Sequence, residues 1–255
     1  MIATKPTTNG HAQPSSRANL QRKTSLAAGV LYLLTFVSIP TLALYGPVKA
    51  ANYILGAGPD NGAIFGGILE IIVALAGIGT AVALYPVLKR QNEGVALGFV
   101  GSRVLEAGAI FAGVMCLLTV VSLRQAGAGA DVLVTSHALV AMYDRMFLIS
   151  QSFIPAVNAL LLGSLLYQSR LVPRALPLLA FIGATLLVAG DIAVLFGFIG
   201  QHAPSTALAA VPIALWEFSL GVWLVVKGFN PSPILSGDPR DAGLNTSLTP
   251  AAVTR

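Results

Sequence analysis

Long apolar stretches separated by short polar connections dominate the pattern of this chain. Each stretch has the roughly 20 residues that cross about 30 Å of hydrocarbon as an α-helix. None alternates strictly as a strand would, and in lipid a helix satisfies its own backbone hydrogen bonds. The pattern predicts an all-α integral membrane bundle of six transmembrane helices. They lie over Leu26–Tyr45, Ala63–Leu88, Val95–Leu123, Met146–Tyr167, Ala175–Gly200 and Ala207–Val226.

Composition supports a membrane protein rather than a soluble domain. Hydrophobic residues make up 55% of the 255 residues and charged residues only 10%, whereas soluble domains carry about 25% charged residues. One soluble core of this length cannot hide so many apolar side chains, but a lipid-exposed exterior accommodates them.

The two ends differ from the centre. Residues 1–24 are rich in Thr, Ser, Asn, Pro and Gln, and residues 229–255 hold prolines among Gly, Ser and Thr. Such segments bury too little apolar surface to offset chain entropy. We expect a disordered arm at 1–24, a six-helix transmembrane domain at 25–228 and a disordered tail at 229–255. The first apolar run exceeds the 7–15 residues of a secretory signal core, so we expect it to be retained as a span.

Lysine and arginine are concentrated on one side of the predicted membrane. That side carries Lys5, Arg17, Arg22, Lys23, Lys89, Arg90, Arg170, Arg174, Lys227, Arg240 and Arg255, while the other carries Lys49, Arg124 and Arg145. The positive-inside rule then predicts that both termini are cytoplasmic. The partners expected are the lipid bilayer and, at the basic loops, anionic lipid headgroups. The net charge of +5 follows from this asymmetry and requires no nucleic acid.

Five ionisable residues stand inside the long apolar stretches: Glu70, Arg103, Glu106, Asp191 and Glu217. A charge at the bilayer centre costs about 2.5–3.5 kcal/mol on the translocon scale, so it normally faces a partner or a water-filled cavity. These positions are therefore the candidate functional residues of the chain.

Helical rise sorts the charges into two layers. Arg103, Glu106 and Glu217 lie about 12 to 16 Å from the side that holds the termini. Arg103 and Glu106 are three residues apart and share a helix face, and Glu217 is the candidate partner from another helix. Glu70 and Asp191 lie about 24 to 27 Å deep, in an outer layer with the residues that we expect to open the fourth span, Asp144 and Arg145.

Acids outnumber bases in both layers. The outer layer offers only Arg145, which we expect to meet Glu70 or Asp191. A low-dielectric interior does not sustain such an excess, so some carboxylates are expected to be protonated at neutral pH, or else to bind a cation. Titratable carboxylates of this kind belong to proton relays and cation-coupled carriers.

Two interpretations of the buried charges remain open. In the first, the protein is a structural or regulatory membrane component of unassigned activity, in which the pairs Arg103–Glu217 and Arg145–Asp191 lock helices in register. In the alternative, it is a small-molecule or proton-coupled transporter. Its cavity would lie between the second, third, fifth and sixth spans, with Arg103 holding an anionic group or Glu217 while Glu106 and Glu217 exchange a proton.

Catalytic and metal-binding motifs are missing from the sequence. No histidine lies within a predicted span to serve an embedded serine, and the H-E-x-x-H motif is absent, so we expect no enzyme. His11, His137 and His202 are too scattered for a metal site, and no cofactor is expected. A single cysteine, Cys116, excludes an internal disulfide. Glycines at 62, 66, 94, 98 and 101 are expected to permit close helix approach.

Four fragments, in this order and spacing, resemble a bacterial membrane family, domain-of-unknown-function family 4386. They are Tyr143–Met146, Gly163–Tyr167, Val172–Pro177 and Trp216–Phe229, of which the last is the most specific. The resemblance covers roughly residues 20–230. It implies a six-helix bacterial inner-membrane protein and carries no activity with it.

Overall fold

The computed structural model describes residues 14–236, which form helices joined by short connections and, over that range, no strand. Six helical segments are long and apolar enough to cross a membrane. The protein is therefore an all-α, multi-pass membrane protein, as predicted. The helices are α1 (Pro14–Leu34), α2 (Thr41–Leu44), α3 (Asn61–Leu88), α4 (Glu93–Gln125), α5 (Leu133–Leu148), α6 (Ile154–Ser169), α7 (Ala175–Leu195), α8 (Pro204–Val226) and α9 (Pro233–Ser236).

The six spans pack as a closed ring in chain order. The first span is α1 with α2, the second α3, the third α4, the fourth α5 with α6, the fifth α7 and the sixth α8. Each packs against the next along the chain, and α8 returns to pack against α1. The residues that face inward from all six therefore meet on the central axis.

The ring has two ends. We call the end with the start of α1, the connections at 89–92 and 170–174, and residues 227–236 the terminal face. The end with the connections at 45–60, 126–132 and 196–203 is the far face. The terminal half is filled by a large buried apolar cluster that includes Tyr32, Phe99, Trp216, Leu220 and Leu224. The centre of the ring is therefore closed toward the terminal face.

The first helix begins at Pro14, inside the segment 1–24 for which the sequence predicts disorder. Arg22 accounts for part of this order, because its Nη1 and Nη2 donate to the Leu224 and Val225 carbonyls, 3.1 and 2.6 Å away. These carbonyls end α8 and lack helical partners. Beyond α8, Ser232 Oγ donates to the Ser169 carbonyl at 2.6 Å. The predictions for residues 1–13 and 237–255 lie outside the described residues.

The fourth span differs most from its prediction. Helical structure runs from Gly129 to Ser169 with a π-helical turn at Ile149–Phe153, so the helix begins well before Met146, the predicted start of the span. At about 1.5 Å per residue this run approaches 60 Å, twice the hydrocarbon thickness. Its first part holds Thr135, Ser136 and His137, which lower its hydropathy. The π turn ends at Phe153, two residues before Pro155, which has no N–H to donate.

Close helix contacts occur at other glycines than most of those predicted. A Cβ at Gly29 would lie 2.8 Å from the Gly221 carbonyl, and one at Gly183 would lie 2.8 Å from the Ile213 nitrogen. Gly62 and Gly66 do meet the first span closely. The expectation is wrong for the third span, since a Cβ at Gly101 would have no neighbour within 4 Å, and those at Gly94 and Gly98 would make only ordinary contacts.

Candidate functional site

Arg103 is the centre of the buried charge cluster. Its Nη1 donates to Glu106 Oε2 at 2.9 Å, one turn along α4, and its Nη2 to Glu217 Oε1 at 3.4 Å, on α8. Nη2 also donates to the Tyr32 hydroxyl of α1 at 3.1 Å. The structure thus brings together the three charged residues that helical rise places at one depth.

Asn158 of α6 completes the cluster. Its Nδ2 donates to Glu106 Oε2 at 2.6 Å. Arg103 and Glu106 therefore connect the first, third, fourth and sixth spans. The Arg103 side chain is 3% exposed and Glu106 10%, whereas Glu217 is 19% exposed.

Aromatic rings enclose the Arg103 guanidinium. Its carbon lies 5.4 Å from the centroid of the Tyr32 ring and 5.6 Å from that of Phe99, both within the range of a cation–π interaction. Both rings belong to the apolar cluster of the terminal half. On the terminal side, the charge cluster therefore packs against buried apolar side chains. Toward the far half it is less tightly packed.

A cavity of about 190 Å³ adjoins the charge cluster on that side. All six spans line it, so the predicted boundary of four spans omits the first and the fourth. Its polar lining comes from Thr35, Ser38, Arg103, Glu106, Gln151 and Glu217.

A second cavity of about 450 Å³ leads from the first toward the far face. Both are lined by Gln151, Leu187 and Ala210, so they adjoin. The second cavity ends at Gln201 and His202, in the connection that precedes α8. The two adjoining cavities therefore extend from the charge cluster to the far face.

Glu70 of α3 lies apart from the Arg103 cluster and is 1% exposed. Its Oε1 accepts hydrogen bonds from the Tyr143 hydroxyl and from Gln151 Nε2, each at 2.9 Å. Its Oε2 is buried without a partner in the part of the chain that the structure describes. No lysine or arginine there forms an ion pair with this carboxyl.

Asp191 of α7 has a similar environment. It is 1% exposed, and its Oδ1 accepts a hydrogen bond from Ser152 Oγ at 2.5 Å. Its Oδ2 has no partner among the described residues. Gln151 and Ser152, consecutive residues of the π turn, thus contact acids on two different helices.

The predicted role of Arg145 is wrong. Arg145 is exposed and forms no ion pair with any described residue, so it meets neither Glu70 nor Asp191. Its neighbour Asp144 instead pairs with Lys49, with Nζ 2.7 Å from Oδ1. The cause is the early start of the fourth span: Asp144 and Arg145 lie within it, and α5 turns Tyr143 rather than Arg145 toward the centre.

A separate network fixes the connection between the first and second spans. Asp60 accepts hydrogen bonds from Arg124, Tyr53 and Gln125, the last at 2.9 Å. The Arg124 guanidinium is the main reason that the pKa of Asp60 is lowered to about 2. Burial, with the hydrogen bond to Asp60, raises the pKa of Tyr53 to about 12. This network is a structural clamp on the far face.

The family profile for a domain of unknown function, DUF4386, matches residues 27–228. The chain belongs to the DUF4386 family. The matched range begins within α1 and ends just after α8, so it includes part of the first span, all of the other five and every member of the charge cluster. Comparison with curated proteins gave no match, and comparison with solved structures gave none.

Sequence reasoning missed several polar partners in this DUF4386 protein. Tyr32, Asn158, Gln151 and Ser152 all hydrogen-bond to buried charges. The signal was present, since Asn158 and Gln151 are amides inside an apolar run, where an unpaired polar group is costly. A search restricted to ionisable side chains passes over them.

Proposed function

We propose that the protein is a carrier for a small polar solute, with a mid-membrane cavity that exchanges protons through Glu106 and Glu217. One observation carries the proposal: a cavity of about 190 Å³ lies directly against an ion cluster with more acid than base. At roughly 30 Å³ per water molecule, this space suits a few waters or a small solute. An ion pair that only fixes helix register needs no such space.

The charge of the cluster favours proton or cation exchange. Arg103 is the single base against Glu106 and Glu217, so the three carry a net charge of −1 when all are ionised. Inside a membrane such a charge is best neutralised by a proton or a bound cation. Glu217 is the acid placed for exchange, because it lines the cavity and is the most exposed member of the cluster.

The distribution of paired and unpaired cations supports a terminal face in the cytoplasm. At the far face, Lys49 pairs with Asp144 and Arg124 with Asp60. At the terminal face, no basic residue forms an ion pair with any described residue. These unpaired cations suit anionic headgroups of an inner membrane, and they are Arg22, Lys23, Lys89, Arg90, Arg170, Arg174 and Lys227.

A structural role is the second candidate. It is favoured because the hydrogen bonds of Arg103 and Glu106 connect four of the six spans. In that case the ion pairs hold helices in register, and the protein is a structural or regulatory membrane component. Catalysis forms no part of either proposal.

Cysteine accessibility separates the two candidates. In a Cys116→Ser background, Ala214→Cys places a thiol in the cavity, while Leu215→Cys, one residue further along α8, places it on the outer surface. Membrane vesicles are treated with a small cationic thiosulfonate, which reacts with thiols that meet water. The carrier predicts rapid modification at 214 and protection by lipid at 215.

Equal protection at both positions would overturn the carrier proposal. The structural role, in which the Arg103 ion pairs are sealed from water, would then be retained. Lys49→Cys, at the far face, reports that the reagent reaches the protein. A second variant, Ala210→Cys, lies where the two cavities meet and should react at least as fast as 214.

A further inference from the structure

A third cavity, here called the vestibule, opens at the far face beside Glu70. Its volume is about 190 Å³, and its lining includes Tyr45, Lys49, Tyr143 and His202. Lys49 Nζ lies 4.5 Å from the centroid of the Tyr143 ring and pairs with the exposed side of Asp144. The vestibule therefore has a charged, solvent-facing rim and an aromatic floor.

Tyr143 separates the vestibule from the Glu70 carboxyl. Its ring lines the vestibule, while its hydroxyl donates to Glu70 Oε1 at 2.9 Å. The Tyr45 ring packs edge-on against it, with centroids 5.3 Å apart. The buried Tyr45 hydroxyl and Glu70 Oε2 both have no hydrogen-bond partner within the described residues. The Tyr45 hydroxyl nevertheless adjoins the Glu70 carboxyl and interacts with it, so the two buried polar groups are neighbours.

We propose that Glu70 is a proton-exchange site that opens to the far-face vestibule through Tyr45 and Tyr143. A hydronium ion in far-face water gives a proton to Oε2 of the ionised carboxylate: one O–H bond of hydronium breaks, one O–H bond forms on Oε2, and neutral water is left. That O–H then donates to the Tyr45 oxygen. In the ionised state, Oε1 keeps its two donors and the Tyr45 hydroxyl donates to Oε2. The same shell therefore accommodates both protonation states, which exchange requires.

Among the described residues, Lys49 acts on Glu70 through its charge, but no cation forms an ion pair with this carboxyl. The groups around Glu70 come from every element packed against it. They are Tyr45 and Lys49 from the first connection, Cys116 from α4, Tyr143 and Asp144 from α5, and Gln151 from the π turn. Of these only Lys49 is basic, and its ion pair is with Asp144.

Gln151 connects the exchange site to the mid-membrane cavity. Its Nε2 donates to Glu70 Oε1, and the residue lines the cavity that holds Glu217. Protonation of Glu70 weakens it as an acceptor and frees the amide to turn toward the cavity. Glu70 is a second acid, separate from the Arg103 cluster, and its proton exchange does not depend on whether that cavity carries a solute.

Carbodiimide labelling tests the exchange. Dicyclohexylcarbodiimide adds to protonated carboxyls in apolar surroundings, and mass spectrometry locates the adduct. With the full chain in lipid nanodiscs, we expect an adduct on Glu70 that declines as the pH rises from about 5 to about 9. Glu70→Gln should remove it. Glu93, an exposed acid at the terminal face, should remain unlabelled throughout.

Tyrosine variants show whether the hydroxyls around Glu70 set the pH midpoint of labelling, or whether burial of the carboxyl alone sets it. Tyr143→Phe removes a donor to the ionised form, so labelling should persist to a higher pH. Tyr45→Phe should also move the midpoint. Tyr53→Phe, a buried far-face tyrosine bonded to Asp60 instead, should leave it unchanged. No Glu70 adduct at any pH would mean a permanently ionised acid, and a pH-independent adduct would mean a permanently neutral one. Either result overturns the proposal.

The route is tested through Gly46, which lines the vestibule but is not among the residues that line the second cavity. In a Cys116→Ser background, Gly46→Cys is alkylated with a bulky maleimide. Infrared spectroscopy then follows deuteration of the Glu70 carboxyl after transfer to D₂O, with Glu70→Gln to assign the band. Deuteration should slow several-fold, and an unchanged rate would place the entry route elsewhere and overturn the vestibule.

Discussion

Asn158 Nδ2 donates to Oε2 of Glu106 at 2.6 Å, across the interface between α4 and α6. The same carboxyl accepts two contacts from Arg103 Nη1, at 2.9 and 3.2 Å. Among the described residues, Glu217 accepts a single side-chain hydrogen bond, from Arg103 Nη2 at 3.4 Å. The two acids of the cluster are therefore unequal: Glu106 is held by two helices, whereas Glu217 is loosely tethered beside the cavity.

Replacing Asn158 should test how firmly Glu106 is held. Asn158→Leu removes a donor to a buried carboxylate, and we expect a loss of about 1.5–3 kcal/mol in the free energy of unfolding. Reversible denaturation in detergent micelles measures it. Ser164→Ala, on the same helix, loses only a bond to the Leu161 carbonyl three residues earlier and should cost less than about 1.5 kcal/mol. Equal losses would mean that the Asn158 bond adds nothing to Glu106.

Arg103→Ala should cost more than any other single change in the cluster. It strands two buried carboxylates, and breaking a buried pair typically costs about 3–5 kcal/mol. Adding Glu106→Gln and Glu217→Gln to the same variant should recover much of the loss, since no uncompensated charge remains. Arg145→Ala is the matched control, because Arg145 lies on α5 and forms no ion pair with a described residue. It should change the stability by no more than about 0.5 kcal/mol.

The sequence predicts the features that depend on local periodicity. Span number follows from apolar length, and the Arg103–Glu106 contact from a spacing of three residues on one helix face. Glu217 joins them because its depth matches theirs. Depth alone failed for Arg145, because depth does not say which face of a helix a residue occupies, and Arg145 lies on the exposed face of α5. The contact between Glu70 and Tyr143 forms only because separate helices pack side by side around the ring, and no local sequence pattern predicts that packing.

Close packing at Gly183 gives a third test. A Cβ there would lie 2.8 Å from the Ile213 nitrogen and 3.0 Å from the Pro212 carbonyl carbon, both backbone atoms of α8. Gly183→Ala should therefore force α7 and α8 apart and cost about 1–3 kcal/mol. Gly101→Ala has open space around it and should be neutral or stabilising by up to about 1 kcal/mol. Thermal unfolding of the two variants makes the comparison, and a larger loss at 101 would contradict the packing of the fifth and sixth spans.

The far-face clamp predicts a pH dependence of stability. The pKa of Asp60 is about 2 in the folded protein, below its ordinary value of 3.8, chiefly because of the Arg124 hydrogen bond. A lowered folded pKa means that the contribution is fully present above the unfolded value and is lost as the pH falls through the folded one. Asp60→Asn should therefore lower the melting temperature at about pH 6 and matter progressively less as the pH falls from about 4 to about 2.

The control for this test is Asp131→Asn, which replaces an exposed acid with no ion pair to any described residue. It should leave the melting temperature unchanged relative to the parent at both ends of the range. Because global acid effects act on the parent and the variants alike, the informative quantity is the difference between parent and Asp60→Asn at each pH. If that difference is the same at about pH 6 and about pH 3, Asp60 contributes through the shape of the connection rather than through its charge.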